Sequence, residues 1–191
     1  MNRNLILEAA AQIFSKKGFH AASMQDIAEA VSMQKGSLYY HVSSKQEILF
    51  EILNSALELL TEDMEAVMAL PLPPEDKLRR AMASYLTTMI EHLDIASVLL
   101  LEYRSLEPEL HARHILKRDY FEGLWRNLIL EGKNASVFIS ADPAFTSRAL
   151  LGVMNWTVTW YHPEGAMTAG EISQQYADLF LKGLLIRNEC E

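Results

Sequence analysis

The sequence has one cysteine in 191 residues, Cys190, so no disulfide can close within the chain and no C-x-x-C pair can hold zinc or do redox chemistry. Eight glycines and six prolines are too few for a collagen-like or low-complexity chain. Long apolar runs are missing too. The longest stretch without a charged residue, Ala149 to Pro163, is 15 residues and holds Asn155 and His162, short of the roughly 18 apolar positions a membrane span needs. Glu8 interrupts what would be the apolar region of a secretory signal, so cytoplasmic residence is the expectation. G-x-S-x-G, P-loop and dinucleotide-binding glycine patterns are all absent, and most carboxylates fall on faces that read as solvent. Neither an enzyme nor a cofactor is expected.

What is present is a folding composition, 50% hydrophobic and 22% charged. The net charge of -8 is unevenly spread. Residues 1–50 carry Arg3, Lys16, Lys17, Lys35 and Lys45 against Glu8, Asp26, Glu29 and Glu47, which is +1 and leaves -9 on the remainder. A polyanion can therefore be held only at the head, and only by individually placed contacts.

Apolar residues recur at helical spacing almost throughout, which predicts an all-α fold of about nine helices. The first, over 3–17, buries Ile6, Ala10, Ile13 and Phe14 and stops at Gly18. Ser23-Met24-Gln25-Asp26 is a capping box that opens a short second helix. A third covers 34–40, and a second capping box, Ser44-Lys45-Gln46-Glu47, opens a long fourth that reaches about residue 70. Pro71, Pro73 and Pro74 break the pattern, as prolines remove amide donors and disfavour helix before them. Further helices are expected near 75–92, 95–103, 109–130, 143–161 and 171–188, with breaks at Asp94, at Glu107-Pro108, at Gly132-Lys133-Asn134 and at His162-Pro163-Glu164-Gly165.

Two short helices joined by a tight turn form the unit that sets a recognition helix into the major groove. In the third helix Leu38 can face the core, while Gln34, Lys35, Ser37, Tyr39, Tyr40 and His41 offer donors and flat rings to phosphates and base edges. Gly36 inside so short a helix costs about 1 kcal/mol against alanine, tolerated where a side chain would block a close approach.

These residues carry a resemblance. Ile6 to Phe14, Gly18-Phe19, Ser23 to Ala28, Gln34 to His41 and Ser44 to Glu47 together resemble the TetR family of transcriptional repressors. The resemblance implies a three-helix head over 1–46 that binds DNA and, joined to it by helix four, a body over 47–191 that binds ligand and dimerises. It also implies that Ser23 and Met24 start the DNA-facing second helix, that Gln34, Lys35, Gly36, Ser37 and Tyr40 line the groove, and that Tyr39, His41 and Lys45 meet phosphates. The turn departs from the family pattern in having Ser32 for the usual glycine. Met33 stands for the usual valine and Val42 for the usual phenylalanine.

In the body, Phe145, Ala149, Gly152, Val153, Trp156 and Trp160 make one stripe, and Ile172, Tyr176, Leu179, Phe180, Gly183 and Leu184 another. Monomer core is one reading of them; an isologous four-helix interface is the other, and the dimer mode the resemblance implies. On that reading the interface is Ala149, Gly152, Val153, Trp160, Tyr176, Phe180 and Leu184. Residues 151–165 and 175–179 are similar to a TetR subgroup that controls lipid and acyl-CoA breakdown.

An apolar effector pocket is expected from Met89, Leu100, Tyr103, Phe121, Trp125, Met154 and Trp156, with plain core packing as the alternative for each. Arg113, Lys117 and Arg118 either meet a ligand phosphate or carboxylate or pair with Glu109 and Glu122. His111 and His114 lack a nearby third ligand, read as a solvated pair and call for no metal. The expected function is a ligand-responsive repressor, released from a palindromic double-stranded operator by a small hydrophobic effector, acyl-CoA or fatty acid. A drug-sensing repressor of an efflux gene and a helical enzyme or interaction module that does not bind DNA are the alternatives. No membrane partner is expected.

Overall fold

A computed structural model describes residues 3–185. The end of the expected last helix and Cys190 lie outside them. The described residues form nine α-helices, one 3-10 turn and a single antiparallel bridge between Phe138 and Leu185. In chain order the helices are α1 (Arg3–Lys17), α2 (Met24–Ala30), α3 (Lys35–Leu38), α4 (Lys45–Met68), α5 (Pro74–Glu91), α6 (Leu93–Leu101), α7 (Pro108–Asn134), α8 (Pro143–Trp160) and α9 (Ala169–Leu184).

Local chemistry accounts for most boundaries. Gly18 takes φ +80° and ends α1, a left-handed conformation that costs glycine little. Ser23 caps α2 with both reciprocal bonds of a capping box. Thr168 and Glu171 do the same for α9, and Asp142 caps α8 ahead of Pro143. Pro74 sits in the first turn of α5, where a missing amide donor costs nothing.

The second expected capping box forms only by half. Ser44 Oγ accepts from Glu47 N–H at 3.0 Å, but the Glu47 carboxylate turns to the amide and hydroxyl of Ser43 instead of Ser44.

Two expected breaks are also corrected. Asp94 lies inside α6, and α7 runs through Gly132 without a break. Gly132 marks contact instead: Phe138, buried, lies against it, and the amides of Val137 and Phe138 both donate to the Gly132 carbonyl at 2.9 and 3.1 Å. The turn that ends α7 falls at Ser136, with φ 56°.

The described residues form two compact units, one of residues 3–59 and 92–118, the other of residues 60–91 and 119–185. In the first, α1 packs on α6 and on α2, and α2 packs on α3. Ile6, Ala10, Phe14, Ile27, Leu38 and Leu49 are buried there. In the second, α5 packs along α9 and against α8, around Leu78, Met82, Leu86, Trp125, Met154 and Leu181. Lys77, almost buried, pairs with Glu131 at 2.8 Å, so its charge is compensated rather than stranded.

A methyl group on Gly132 would stand 2.2 Å from the Phe138 ring, far inside van der Waals contact. Gly132→Ala is therefore expected to lower stability by about 1–3 kcal/mol through overpacking, read as a drop in the midpoint of urea unfolding. An unchanged midpoint would show that Phe138 yields freely.

Candidate functional site

The head presents its surface by burying very little of α3. Leu38 is the buried residue of that helix, while Gln34, Lys35, Gly36, Ser37 and Tyr39 are exposed and Tyr40 is 92% exposed. A β-carbon added to Gly36 meets nothing within 4 Å, so the open face of the helix continues across it. The turn before α3 holds Ser32 at φ 53°. A serine thus bears the left-handed conformation that the resemblance assigned to glycine, at a cost.

Ser23 is exposed at the start of α2, but its hydroxyl is engaged with Asp26, donating to Oδ2 at 2.7 Å and accepting from the amide at 3.1 Å. The Lys17 ammonium at 2.8 Å and the Ser23 bonds hold the Asp26 carboxyl down at about 2. Met24 does not share that surface. It is buried, because the cap at Ser23 turns the first residue of α2 inward, and the expectation that it meets DNA is corrected.

Lys45 is corrected as well. Its ammonium donates to the carbonyls of Ala22 at 2.6 Å and Phe19 at 2.8 Å, and stands 4.4 Å from the centre of the Phe19 ring. Those carbonyls lie in the loop between α1 and α2, so Lys45 clamps α4 to that loop and the ammonium expected on a phosphate is occupied.

Arg3 makes a second clamp that the sequence did not reveal. Its guanidinium donates to His41 O at 2.7 Å and to Glu47 at 2.8 Å, and grips both carboxylate oxygens of Glu51. Glu51 foremost stabilises the Arg3 charge, and Ser43 foremost holds the Glu47 carboxyl below its ordinary range. Gln46 completes the frame: its amide donates to Ser105 O at 2.9 Å and accepts from Glu107 N–H at 3.0 Å.

Two members of the basic cluster on α7, Arg113 and Lys117, reach toward α4. Lys117 pairs with Glu58 at 2.7 Å, a partner on α4 rather than on its own helix, and the Arg113 guanidinium lies 4.7 Å from the centre of the Phe50 ring. His111 and His114 are not a solvated pair. Both rings pack against Tyr103 at 6.1 Å, and His114 is 2% exposed with Nδ1 unpartnered. Burial first, then Arg118 and His111, push the His114 imidazole down to about 4. The described residues contain no group of three or more potential metal ligands.

The second unit holds a small cavity of about 10 Å³. Leu60, Met64 and Ala81 supply apolar wall, and Asp63 and Ser84 supply polar wall. Tyr85, Phe121 and Trp125 complete the lining, packed on one another at centroid distances of 5.8 to 6.4 Å. Tyr85 donates to Asn155 Oδ1 at 2.5 Å, and burial raises its phenol well above the ordinary value. Trp125 is fully buried and its Nε1 has no partner.

Of the expected pocket residues, Phe121 and Trp125 meet here, and Met89 and Met154 are buried elsewhere in the same unit. Leu100 and Tyr103, both half-buried, belong to the other unit. Trp156 is corrected: at 65% exposure it stands outside. Asp63 and Tyr85 were missed, although an acid among Leu57, Leu60, Met64 and Val67 on α4 was a usable signal.

On α8, Gly152, Val153 and Trp160 are exposed beside Trp156 and Phe145, the last at 73%. Ala149, Tyr176 and Phe180 are half-buried. Leu184 is buried within its own unit, which corrects its assignment to an interface, whereas Leu179 is 66% exposed.

With this geometry in place, comparison with known proteins is specific. Residues 6–52 match the model of "Bacterial regulatory proteins, tetR family", and residues 71–184 match "Tetracyclin repressor-like, C-terminal domain". The HTH-type transcriptional repressor KstR2 of Rhodococcus jostii is 28% identical over 188 residues, covering 95% of this chain and 90% of that one. The TetR family transcriptional regulator PfmR from Thermus thermophilus is 37% identical with a TM-score of 0.87, covering 95% and 99%. AibR, solved in complex with isovaleryl coenzyme A and operator DNA, is 25% identical with a TM-score of 0.84, covering 96% and 97%.

Two expectations follow. Lys45→Ala removes two charge-assisted bonds and should cost about 1.5–3 kcal/mol of head stability, measured by thermal unfolding without DNA; loss of DNA affinity at full stability would contradict the clamp. His114 is neutral in the fold, whereas the unfolded chain takes a proton below about 6.5. Its contribution is therefore complete above that pH and is lost as pH falls toward about 4. The Tm of wild type should fall more steeply over that window than that of His114→Gln; equal slopes would contradict the assignment.

Proposed function

The chain belongs to the TetR family of transcriptional regulators, and on that premise we propose that it is a homodimeric repressor released from a palindromic operator by a small hydrophobic effector. It is a ligand-responsive regulator and not an enzyme.

The observation that carries the proposal is α3, where Leu38 is 0% exposed while Gln34, Lys35, Gly36, Ser37, Tyr39 and Tyr40 stand out from the head. Tyr40 and the residues from Gln34 to Ser37 read base edges, Tyr39 and His41 meet phosphates, and Ser23 flanks them at the start of α2. Residues 1–46 form the DNA-binding part and 47–191 the effector and dimerisation part. Such a regulator works in the cytoplasm. Among the described residues no helix is long and apolar enough to cross a membrane.

A palindrome calls for a two-fold protein. Phe145, Gly152, Val153, Trp156 and Trp160 on α8, with Leu179 on α9, present apolar surface that a second copy covers in an isologous contact. Ala149, Tyr176 and Phe180 flank it. The added β-carbons of Gly152 and Gly183 meet nothing within 4 Å, which lets a second backbone approach.

The effector is an acyl-CoA or a fatty acid, as the apolar interior of the second unit and the isovaleryl coenzyme A in the AibR complex suggest. It acts on DNA only through a difference in affinity between the DNA-competent and released forms. α4 and α7 each contribute residues to both compact units, so both helices are covalent routes between effector and head.

Gel shift on a palindromic duplex, with acyl-CoA added to the complex, tests the reading. Tyr40→Ala should weaken binding by about 1–3 kcal/mol and Lys35→Ala should weaken it as well. Gly36→Ala should stabilise the free protein by up to about 1 kcal/mol yet weaken binding. Wild-type affinity in all three would reject the α3 assignment, and a single 21.7 kDa species in light scattering would reject the dimer.

A further inference from the structure

The cavity in the second unit carries polar groups that an apolar pocket does not need. Asp63 Oδ2 accepts from Ser84 Oγ at 3.1 Å and from Thr88 Oγ1 at 3.0 Å, so both hydroxyl donors end on one oxygen of the carboxylate. Opposed to this acid is one unused donor. Trp125 lines the same cavity, is 0% exposed, and its Nε1–H has no hydrogen-bond partner. A buried donor without an acceptor costs free energy that a bound oxygen would recover.

We propose that the cavity selects an uncharged hydrocarbon body bearing one carbonyl or hydroxyl oxygen, which accepts from Trp125 Nε1–H, and that Asp63 rejects effectors whose buried end is a carboxylate. The inference rests on the reading that this unit binds a hydrophobic effector, and it narrows that reading: a thioester or ring ketone enters and the corresponding free acid does not.

Three physical points support it. Asp63 is half-buried, and a second carboxylate brought beside it meets like charge, which disfavours the anion. An organic cation would satisfy Asp63 but leave the Trp125 donor unpaired, because a quaternary ammonium offers no acceptor. Its other partner, an open aromatic box, is missing, since Tyr85, Phe121 and Trp125 pack on one another in edge and stacked contacts. The cavity itself, about 10 Å³, has the room of one water. Entry therefore displaces side chains, and Met64, unbranched and lining the wall, is the one most able to yield.

The test is calorimetric titration of the full chain with octanoyl and decanoyl compounds as CoA thioesters, methyl esters and free acids, together with a steroid ketone and an alkyl trimethylammonium of matched size. Methyl esters separate the neutral carbonyl from the CoA group, and the steroid separates a ring source from an acyl one. Neutral carbonyl compounds should bind at least about tenfold tighter than free acids in wild type, a preference that Asp63→Asn should reduce to about threefold or less. Trp125→Phe should weaken carbonyl compounds by about fivefold or more while leaving an alkane of equal length unchanged, the loss of one hydrogen bond. The wild-type ranking stands as a test even if a variant fails to fold. Free acids binding as well as esters would overturn the selectivity while leaving an acyl effector in place. A preference for the ammonium would overturn the acceptor role. Binding of none of these compounds would overturn both this inference and the effector reading beneath it.

Discussion

A helix of four residues does not exist on its own. Nucleating a turn fixes several backbone dihedrals for a single hydrogen bond, so α3 and the surface it exposes depend wholly on what grips them. The grip is Leu38, whose full burial is worth about 1.5–3 kcal/mol. It is reinforced from behind by α2 and, at the far end, by Arg3, which takes the carbonyl of His41. Two clamps then hold the frame to α4: Arg3 on Glu47 and Glu51, and Lys45 on the carbonyls of Phe19 and Ala22. Exposure of Gln34, Lys35, Ser37 and Tyr40 is the product of these contacts, because every residue that fixes α3 in place approaches from the buried side.

The clamps also explain the weak positive field of the head. With only five basic residues in the first 50, pairing Arg3 with Glu47 and Glu51 and Lys17 with Asp26 leaves little uncompensated positive charge. A chain so arranged gains little from a general attraction to polyanions, which puts the weight on individually placed contacts. The acidic remainder reinforces this by repelling nucleic acid elsewhere.

In the second unit the polar groups are as informative as the apolar ones. Asp63, Ser84, Thr88 and Tyr85 sit where hydrophobic residues would pack more simply, and Tyr85 and Asn155 satisfy each other. Tyr85 is buried and Asp63, Ser84 and Thr88 are half-buried, and withdrawing such groups from water costs free energy unless each finds a partner. The outer stripe of α8 shows the converse, with Phe145 and Trp156 left in solvent. Grouped apolar surface of this kind is rare on a protein that stays alone in solution.

The sequence by itself determined the all-α class, the caps at Ser23 and Gly18, the turn at Ser32 and the outward face of α3. Each of these is local: a cap or a turn is decided by bonds within four residues, and a helix face by spacing along one segment. Only the tertiary structure decided the rest. Met24 turned inward, Lys45 became a clamp, Lys117 found Glu58 instead of a neighbour on its own helix, and Glu47 abandoned Ser44 for Ser43 and Arg3. His114 was buried against Tyr103, and Asp63 was placed with Trp125 around one cavity. Periodicity assigns a residue to a face but is silent on what that face meets. A long charged side chain takes whichever partner the packing brings within reach, often one roughly 50 residues away, and no spacing along the chain encodes that distance.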